Sequence, residues 1–313
     1  MTFDFAPYRI AAIIPCRNEA GAIGRTVADV RAALPSAAVF VFDNNSTDDS
    51  ADEARAAGAE TRFVRLAGKG NVVRRMFADV DADIYLMLDG DATYDAGAAP
   101  ILIERLIRDR LDMVVGCRVS DDRAAYRLGH VAGNRLLTAC VGLLFGRAFK
   151  DLLTGYRVFS RRYVKSFPGA SRGFEIETEL SVHALSLQMP IGEIETPYGA
   201  RQEGSVSKLN TWRDGLRILR TVVRLVRHER PLMFFSVGML ACLTLSLALA
   251  IPLFETYLQT GLVPRFPTAI LCSALVLLGF LLLVCGLVLD TVTTGRLEAK
   301  RLAYLQVPTL NGS

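Results

Sequence analysis

Two uncharged apolar runs, residues 234–254 and 268–289, restrict this chain more than any other feature of its sequence. Each holds about twenty residues, the length at which a helix crosses the hydrocarbon core of a bilayer. A core helix of that length ordinarily keeps a charge on some face, and these keep none. The chain has 313 residues and is 51% hydrophobic, and the excess over a soluble domain is concentrated in the two runs. About 230 residues precede them, enough for one domain with a sizeable core.

The flanks predict an orientation. Arg213, Arg217, Arg220, Arg224, Arg227 and Arg230 precede the first run, Arg296, Lys300 and Arg301 follow the second, and the connection carries only Glu255 and Arg265. By the positive-inside rule the chain is expected in the inner (plasma) membrane with two spans and both termini cytoplasmic. Residues 1–10 show no basic start leading into an apolar stretch, so no signal peptide is expected and the N-terminal domain should stay in the cytosol. The formal net charge of +4 sits largely beside the first span, which favours an anionic bilayer over nucleic acid as partner. The cysteines show no CxxC or Cys/His spacing and are read as reduced and unmetallated.

Upstream, apolar runs alternate with helical periodicities. Residues 10–15 and 39–43 read as buried strands, and between them Ile23, Val27, Val30 and Leu34 recur at helical spacing up to Pro35. The turn at 44–47 is suited to cap a helix over 48–57. A strand at 61–66, a Gly68-Lys69-Gly70 turn, a helix to Val80, a strand from Ile84, a helix over 99–110 and a strand at 113–117 complete the pattern. That alternation predicts an α/β fold, a doubly wound and mostly parallel sheet with its site at the carboxyl edge.

The strand from Ile84 ends in Asp89, Gly90 and Asp91. In an extended segment Asp89 and Asp91 would point the same way. Two hard oxygen ligands at the carboxyl end of a parallel strand suit a divalent cation that is itself bound to a diphosphate. Alone, such a triplet is more often a solvated turn.

Four segments stand in a telling order: IIPCRNEA from Ile13, VFDNNSTDDS from Val41, GKGNVVRR from Gly68 and LDGD from Leu88. Together they resemble the family-two inverting glycosyltransferases, which have the GT-A fold, and the likeness runs from Ile10 to about Lys208. The resemblance implies that Pro15, Arg17 and Glu19 line the nucleoside pocket and that Asp43 faces the base. It also implies that Lys69, Arg74, Gly90 and Arg118 meet the nucleotide sugar, and that Asp89 and Asp91 hold Mg2+ or Mn2+. The residue chemistry agrees: Asp43 can accept from an imide N–H, Glu19 from a ribose hydroxyl, and Lys69 on a Gly-flanked turn is a point charge for a phosphate. The alternatives are a solvated turn lysine at Lys69 and a helix-surface arginine at Arg74. Asn44-Asn45 departs from the Asp-Gly usual in the family.

Further on, Gly116-Cys117-Arg118, the Asp151-to-Arg157 run DLLTGYR and the acidic segment GFEIE from Gly173 resemble the polyprenyl-phosphate branch that includes dolichol-phosphate mannose synthase. That likeness assigns catalytic roles to Asp89, Asp91, Asp151 and Arg157, Asp151 either orienting the acceptor or acting as base. Glu175 and Glu177 read equally as helix-start residues that satisfy backbone N–H groups. The resemblance assigns an acceptor phosphate to Arg201, Ser205, Ser207 and Lys208 on a flexible loop able to close over it. From Trp212 to Arg227 arginines recur at steps of three and four, which predicts an amphipathic helix in the headgroup region.

The expected organisation is a cytosolic GT-A domain over 1–208, a juxtamembrane helix over 209–231, a transmembrane hairpin over 232–291 and a cytoplasmic tail over 292–313. The expected function is transfer of a sugar from a nucleotide sugar, UDP-linked, to polyprenyl (undecaprenyl) phosphate for cell-envelope glycan or lipid modification, with inversion. By resemblance the protein is expected as a homo-oligomer, a tetramer being favoured. The alternatives are a processive polysaccharide synthase, against which stand the absence of a QxxRW motif and the small number of spans, and a non-catalytic membrane scaffold.

Overall fold

The computed structural model describes residues 3–119, 138–139, 141–143, 145–146, 149–169, 176–199, 220 and 222–310. Two compact units emerge, one of Met1–Ile218 with Ala299–Ser313 and one of Leu219–Glu298.

In the first unit, β1 (Ile10–Cys16), α1 (Ile23–Ala33), β2 (Ala38–Asp43), α2 (Ser50–Ala56), β3 (Glu60–Phe63), α3 (Lys69–Asp79) and β4 (Ile84–Met87) follow one another as the apolar pattern predicts. Then come α4 (Ala99–Arg108), β5 (Met113–Val119), β6 (Arg157–Ser160), α5 (Arg161–Ser166), α6 (Ile176–Ser186) and β7 (Ile191–Pro197). The strands form one sheet in the order β3-β2-β1-β4-β6-β5-β7. β1 pairs in parallel with β2 and with β4, and β2 with β3. The chain leaves β1 toward one side and returns through β4 on the other, which opens a crevice at the carboxyl ends of these strands.

The second half breaks the parallel pattern. The DLLTGYR run leads into β6 at Arg157, a strand the alternation did not predict, and β6 runs antiparallel to both β4 and β5. β6 begins with a buried arginine rather than an apolar run, and its identity comes from the antiparallel ladders it completes on both sides. β7 then pairs in parallel with β5 over its whole length.

Both faces of the sheet are covered, as the unbroken apolar strands require. On one face Ala12, Ile14, Val41 and Leu86 pack with Ile23 and Val27 of α1 and Leu102, Ile103 and Leu106 of α4. The other carries an aromatic row: Phe77 of α3 meets Tyr85, Phe159 and Phe167 edge-on, and Phe159 stacks on Tyr163 with ring centroids 4.6 Å apart. His183 of α6 closes the row, edge-on to Tyr163 and Phe167.

The first unit recruits the end of the chain. Asp112, fully buried, accepts from Ser160 Oγ at 2.7 Å, from Arg162 NH2 at 2.8 Å and from the Tyr304 hydroxyl at 2.8 Å. The Arg162 guanidinium lies 4.8 Å over the Tyr304 ring. A buried carboxylate is tolerated only with such partners, so Asp112 ties the C-terminal segment to the sheet.

The two apolar runs fall in α7 (Pro231–Thr260) and α8 (Phe266–Leu305), the second unit holding α7 and α8 as far as Glu298. They are 30 and 40 residues long, and only 6% and 11% of their most apolar stretches are buried, so they are long and apolar enough to cross a membrane and are not covered as core helices would be. They meet through small residues: a Cβ on Gly279 would lie 3.4 Å from Met239 O, and Ser246 Oγ donates to Cys272 O at 2.9 Å. Of the predicted juxtamembrane helix, 220 and 222–229 are helical, the His228 carbonyl accepting from Arg296 at 3.0 Å, Arg230 caps α7, which opens at Pro231, and 209–219 and 221 lie outside the described residues.

His183 makes the first unit sensitive to acid. Burial, with the Lys300 charge as a second cause, pushes its pKa down to about 3. The unfolded chain therefore takes up a proton that the folded one refuses, and stability, intact above about pH 6.5, falls as pH drops toward 3. Thermal unfolding of the purified chain should show a midpoint falling from pH 7 to 5, with a shallower fall in His183→Gln.

Candidate functional site

The first wall of the crevice is built by the loops that follow β1 and β2. Asn18 enters the left-handed region at φ 54° and accepts from Thr47 N at 2.8 Å, Glu19 N donates to Ser50 Oγ at 2.8 Å, and Gly21 N donates to Glu53 at 2.7 Å. These bonds hold Pro15 and Glu19, both half-buried, and the exposed Arg17 beside the end of β2. There Asp43, 7% exposed, accepts from Ser46 N at 3.2 Å.

The departure at Asn44-Asn45 has a structural cause. Asn44 donates to Val64 O and Leu66 O and accepts from Gly68 N at 2.7 Å, which a carboxylate could do only in part. Asn45 occupies the left-handed region at φ 60°, where Asn substitutes for Gly at small cost, and donates to Val64 O and Arg65 O.

Lys69, the first residue of α3, sits at the centre. Its Nζ lies 2.6 Å from Asp89 Oδ1 and 2.6 Å from Glu177 Oε1. Burial alone would lower the lysine pKa, but the two carboxylates outweigh it and hold the ammonium well above its ordinary value. The turn-lysine alternative is thereby excluded, whereas Arg74 donates to Asn71 on its own helix.

The Asp89-Gly90-Asp91 triplet differs from the extended geometry expected of it. β4 stops at Met87 and the triplet turns, with Ala92 at φ 54°, so strand alternation does not set the direction of its side chains. Asp89 reaches Lys69, Gly90 is buried against Ile23, and Asp91, 8% exposed, accepts from Thr93 Oγ1 at 2.6 Å. Among the described residues no three His, Cys, Asp or Glu side chains gather as a metal cage. Two carboxylates nevertheless fit a cation whose remaining ligands are phosphate oxygens and water.

The DLLTGYR run forms the opposite wall. Its glycine is required by close approach: a Cβ on Gly155 would lie 2.6 Å from the Asp89 carboxylate. Tyr94, buried, accepts from Gly155 N at 2.9 Å and packs on Tyr156 and Tyr198. Burial, then the charge of Asp89, raises the Tyr94 pKa, so the phenol keeps its proton. Arg118, at the end of β5, grips Asp151 with Nε to Oδ2 at 2.7 Å and NH2 to Oδ1 at 2.9 Å, and stands 5.4 Å over the Tyr198 ring. Burial opposes ionisation of Asp151, but Arg118 outweighs it and lowers its pKa.

Arg157 is not brought to the crevice. It is fully buried and donates to Thr154 O, Leu152 O and Ser181 Oγ at 2.7–3.0 Å, holding the DLLTGYR turn from behind. Its catalytic role, expected from the resemblance, is replaced by a supporting one, because every nitrogen is spent on the interior. Glu177 enters instead; its place at an acidic helix start was legible, but contact with Lys69 joins segments far apart in the chain. Glu175, Arg201, Ser205, Ser207 and Lys208 lie outside the described residues.

Comparison with known proteins agrees with this architecture. Residues 11–166 match the model of glycosyl transferase family 2. Glycosyltransferase AglJ of Haloferax volcanii is 33% identical over 96% of this chain and 99% of its own length. Dolichyl-phosphate hexose transferase of the same organism is 26% identical, covering 73% of this chain and 97% of that protein. Glucosyl-3-phosphoglycerate synthase of Mycobacterium tuberculosis, solved with Mn2+, UDP-glucose and phosphoglyceric acid, superposes with a TM-score of 0.58 at 21% identity, over 69% of this chain and 80% of that one. That level of identity establishes a common fold.

Two outcomes follow from the geometry. Gly155→Ala must displace the Asp89 carboxylate, and glycosyl transfer by the purified chain is expected to drop roughly a hundredfold with little change in thermal midpoint. Asp151→Asn leaves Arg118 without its charge partner, and denaturant titration should show a loss of about 2–3 kcal/mol, toward the low end for a buried pair because Arg118 keeps some contact with water.

Proposed function

The chain belongs to glycosyltransferase family 2, and from that premise we propose that it transfers a sugar from a UDP-sugar to polyprenyl phosphate at the cytoplasmic face of the membrane. What carries the reading is the pairing, in one chain, of a carboxylate–lysine cluster at the carboxyl edge of the sheet with two helices long and apolar enough to cross a bilayer. An acceptor that cannot leave the membrane calls for an enzyme held at its surface. The dolichyl-phosphate hexose transferase relative supports the same acceptor class. UDP-glucose and Mn2+ in the solved glucosyl-3-phosphoglycerate synthase support the donor and the cation.

In this reading Asp43 accepts from the base, and Pro15, Arg17 and Glu19 line the nucleoside. Asp89 and Asp91 hold Mg2+ or Mn2+, which offsets charge on the departing diphosphate when bound. Lys69 is released toward the donor phosphates when they compete for it, leaving Glu177 to keep it in place. Arg118 and Asp151 orient the acceptor. A phosphate monoester is largely ionised near neutral pH, so attack on the anomeric carbon needs no strong base. An Asp151 held ionised by Arg118 suits an orienting role, and the configuration inverts because attack comes from the face opposite the leaving group. Arg201, Ser205, Ser207 and Lys208 would close over the acceptor phosphate.

The test is direct. Purified full-length chain with Mg2+ or Mn2+, a panel of nucleotide sugars and polyprenyl phosphate should give a lipid-linked monosaccharide, lost on chelation and reduced at least about a hundredfold in Asp91→Asn. Undiminished product from that variant would refute the metal assignment, and polymeric product would replace this reading with a polysaccharide synthase.

A further inference from the structure

The loop at 64–68 connects the edge strand β3 to Lys69, and three asparagine side chains take its carbonyls in turn. Val64 O receives Asn44 at 3.0 Å and Asn45 at 3.1 Å, Arg65 O receives Asn45 at 3.1 Å, Leu66 O receives Asn44 at 2.8 Å and Ala67 O receives Asn71 at 2.8 Å. Gly68, the N-cap of α3 at φ 117°, donates its N–H to Asn44 Oδ1 at 2.7 Å. Asn44 is therefore bonded at both ends of the loop, and with 3% exposure it is sealed from water. Its own backbone is fixed by donation to Cys16 O at 2.9 Å, which continues the β1–β2 ladder.

Val64, 4% exposed, is anchored by burial and by donation of its N–H to Asp43 O at 2.8 Å, but the three residues after it have no such support. Arg65, Leu66 and Ala67 are exposed, Leu66 at 65%, so burial does not anchor these residues, and polar bonds must do so. The residue they deliver is Lys69, whose ammonium must meet Asp89 and Glu177 within 2.6 Å of each. A long side chain loses such geometry when its helix start shifts by an ångström.

We propose that Asn44 is a positioning residue for glycosyl transfer, clasping the 64–68 loop to the end of β2 so that α3 starts with the Lys69 ammonium in place for the donor diphosphate. The amide is needed because the site demands two donated bonds and one accepted bond at once. An aspartate would keep the bond from Gly68 N–H but set its second oxygen against two carbonyls. The proposal rests on the reading in which Lys69 meets the donor phosphates, and the experiment separates the two.

Full-length chain in detergent is titrated with UDP and with GDP in Mn2+ by calorimetry, as wild type, Asn44→Ala, Lys69→Met and the double variant, with thermal unfolding recorded for each. Asn44→Ala and Lys69→Met are each expected to weaken the preferred nucleotide about tenfold, and the double variant to bind no more weakly than Lys69→Met alone. If the two losses multiply, or if Asn44→Ala binds as wild type does, the clasp is overturned, because a role through Lys69 vanishes once Lys69 is gone. If Lys69→Met binds as wild type does, the assignment of Lys69 to the diphosphate is what fails, and a chain that binds neither nucleotide overturns both. Should Asn44→Ala not fold, Asn44→Asp, which preserves volume and the Gly68 bond, takes its place with the same expected pattern.

Discussion

A lysine ammonium enclosed by two carboxylates is the interaction on which the site depends. Each member alone would resist burial, because an unpaired charge sealed from water is costly. Together they satisfy one another, and in doing so they join three elements that the chain delivers separately, the start of α3, the end of β4 and the first turn of α6. Under the proposed function a nucleoside diphosphate with a divalent cation would reorganise this cluster, the cation competing for Asp89 and the phosphates for Lys69. A site held by mutual charge rather than by packing is stable in the absence of ligand and can still rearrange when a ligand of matching charge arrives.

The two halves of the sheet serve different ends. The half running from β3 to β4 is wholly parallel, so its strand ends and following loops converge at one edge, and the residues proposed to face the nucleotide come from the ends of all four of its strands. The other half inserts the antiparallel β6 between β4 and β5. That reversal carries the DLLTGYR turn back to the same edge and lays the bare backbone of Gly155 against Asp89. Arg157 makes the turn rigid from the interior, through bonds to the carbonyls of Leu152 and Thr154. The Arg118–Asp151 pair, with Arg118 stacked on Tyr198, is an ordered polar surface there, the one proposed to orient the acceptor.

The second unit follows another logic. α7 and α8, long and apolar enough to cross a bilayer, meet through small residues and one buried hydroxyl bond, the kind of contact that would still hold them where lipid leaves apolar side chains no gain from packing together. The chain end returns to the first unit through Tyr304 and Asp112, and a buried carboxylate shared by Ser160, Arg162 and Tyr304 is a costly contact to break.

Much of this was legible before any coordinates. Apolar runs without charge identify helices long enough for a bilayer, and alternation of short buried strands with helical periodicity identifies the parallel half of the sheet, because burial on one or two faces imposes its period on local sequence. The order of the four motifs placed Asp43, Lys69, Asp89 and Asp91 at one edge for the same reason: each ends a strand, opens the helix after one or lies in the turn that directly follows one. Only the tertiary structure decided that β6 is a strand, that Arg157 faces inward while Asp151 is paired with Arg118, and that Glu177 completes the lysine's surroundings. Those facts depend on contacts between segments distant in the chain, and no local period records which partner a buried charge will find.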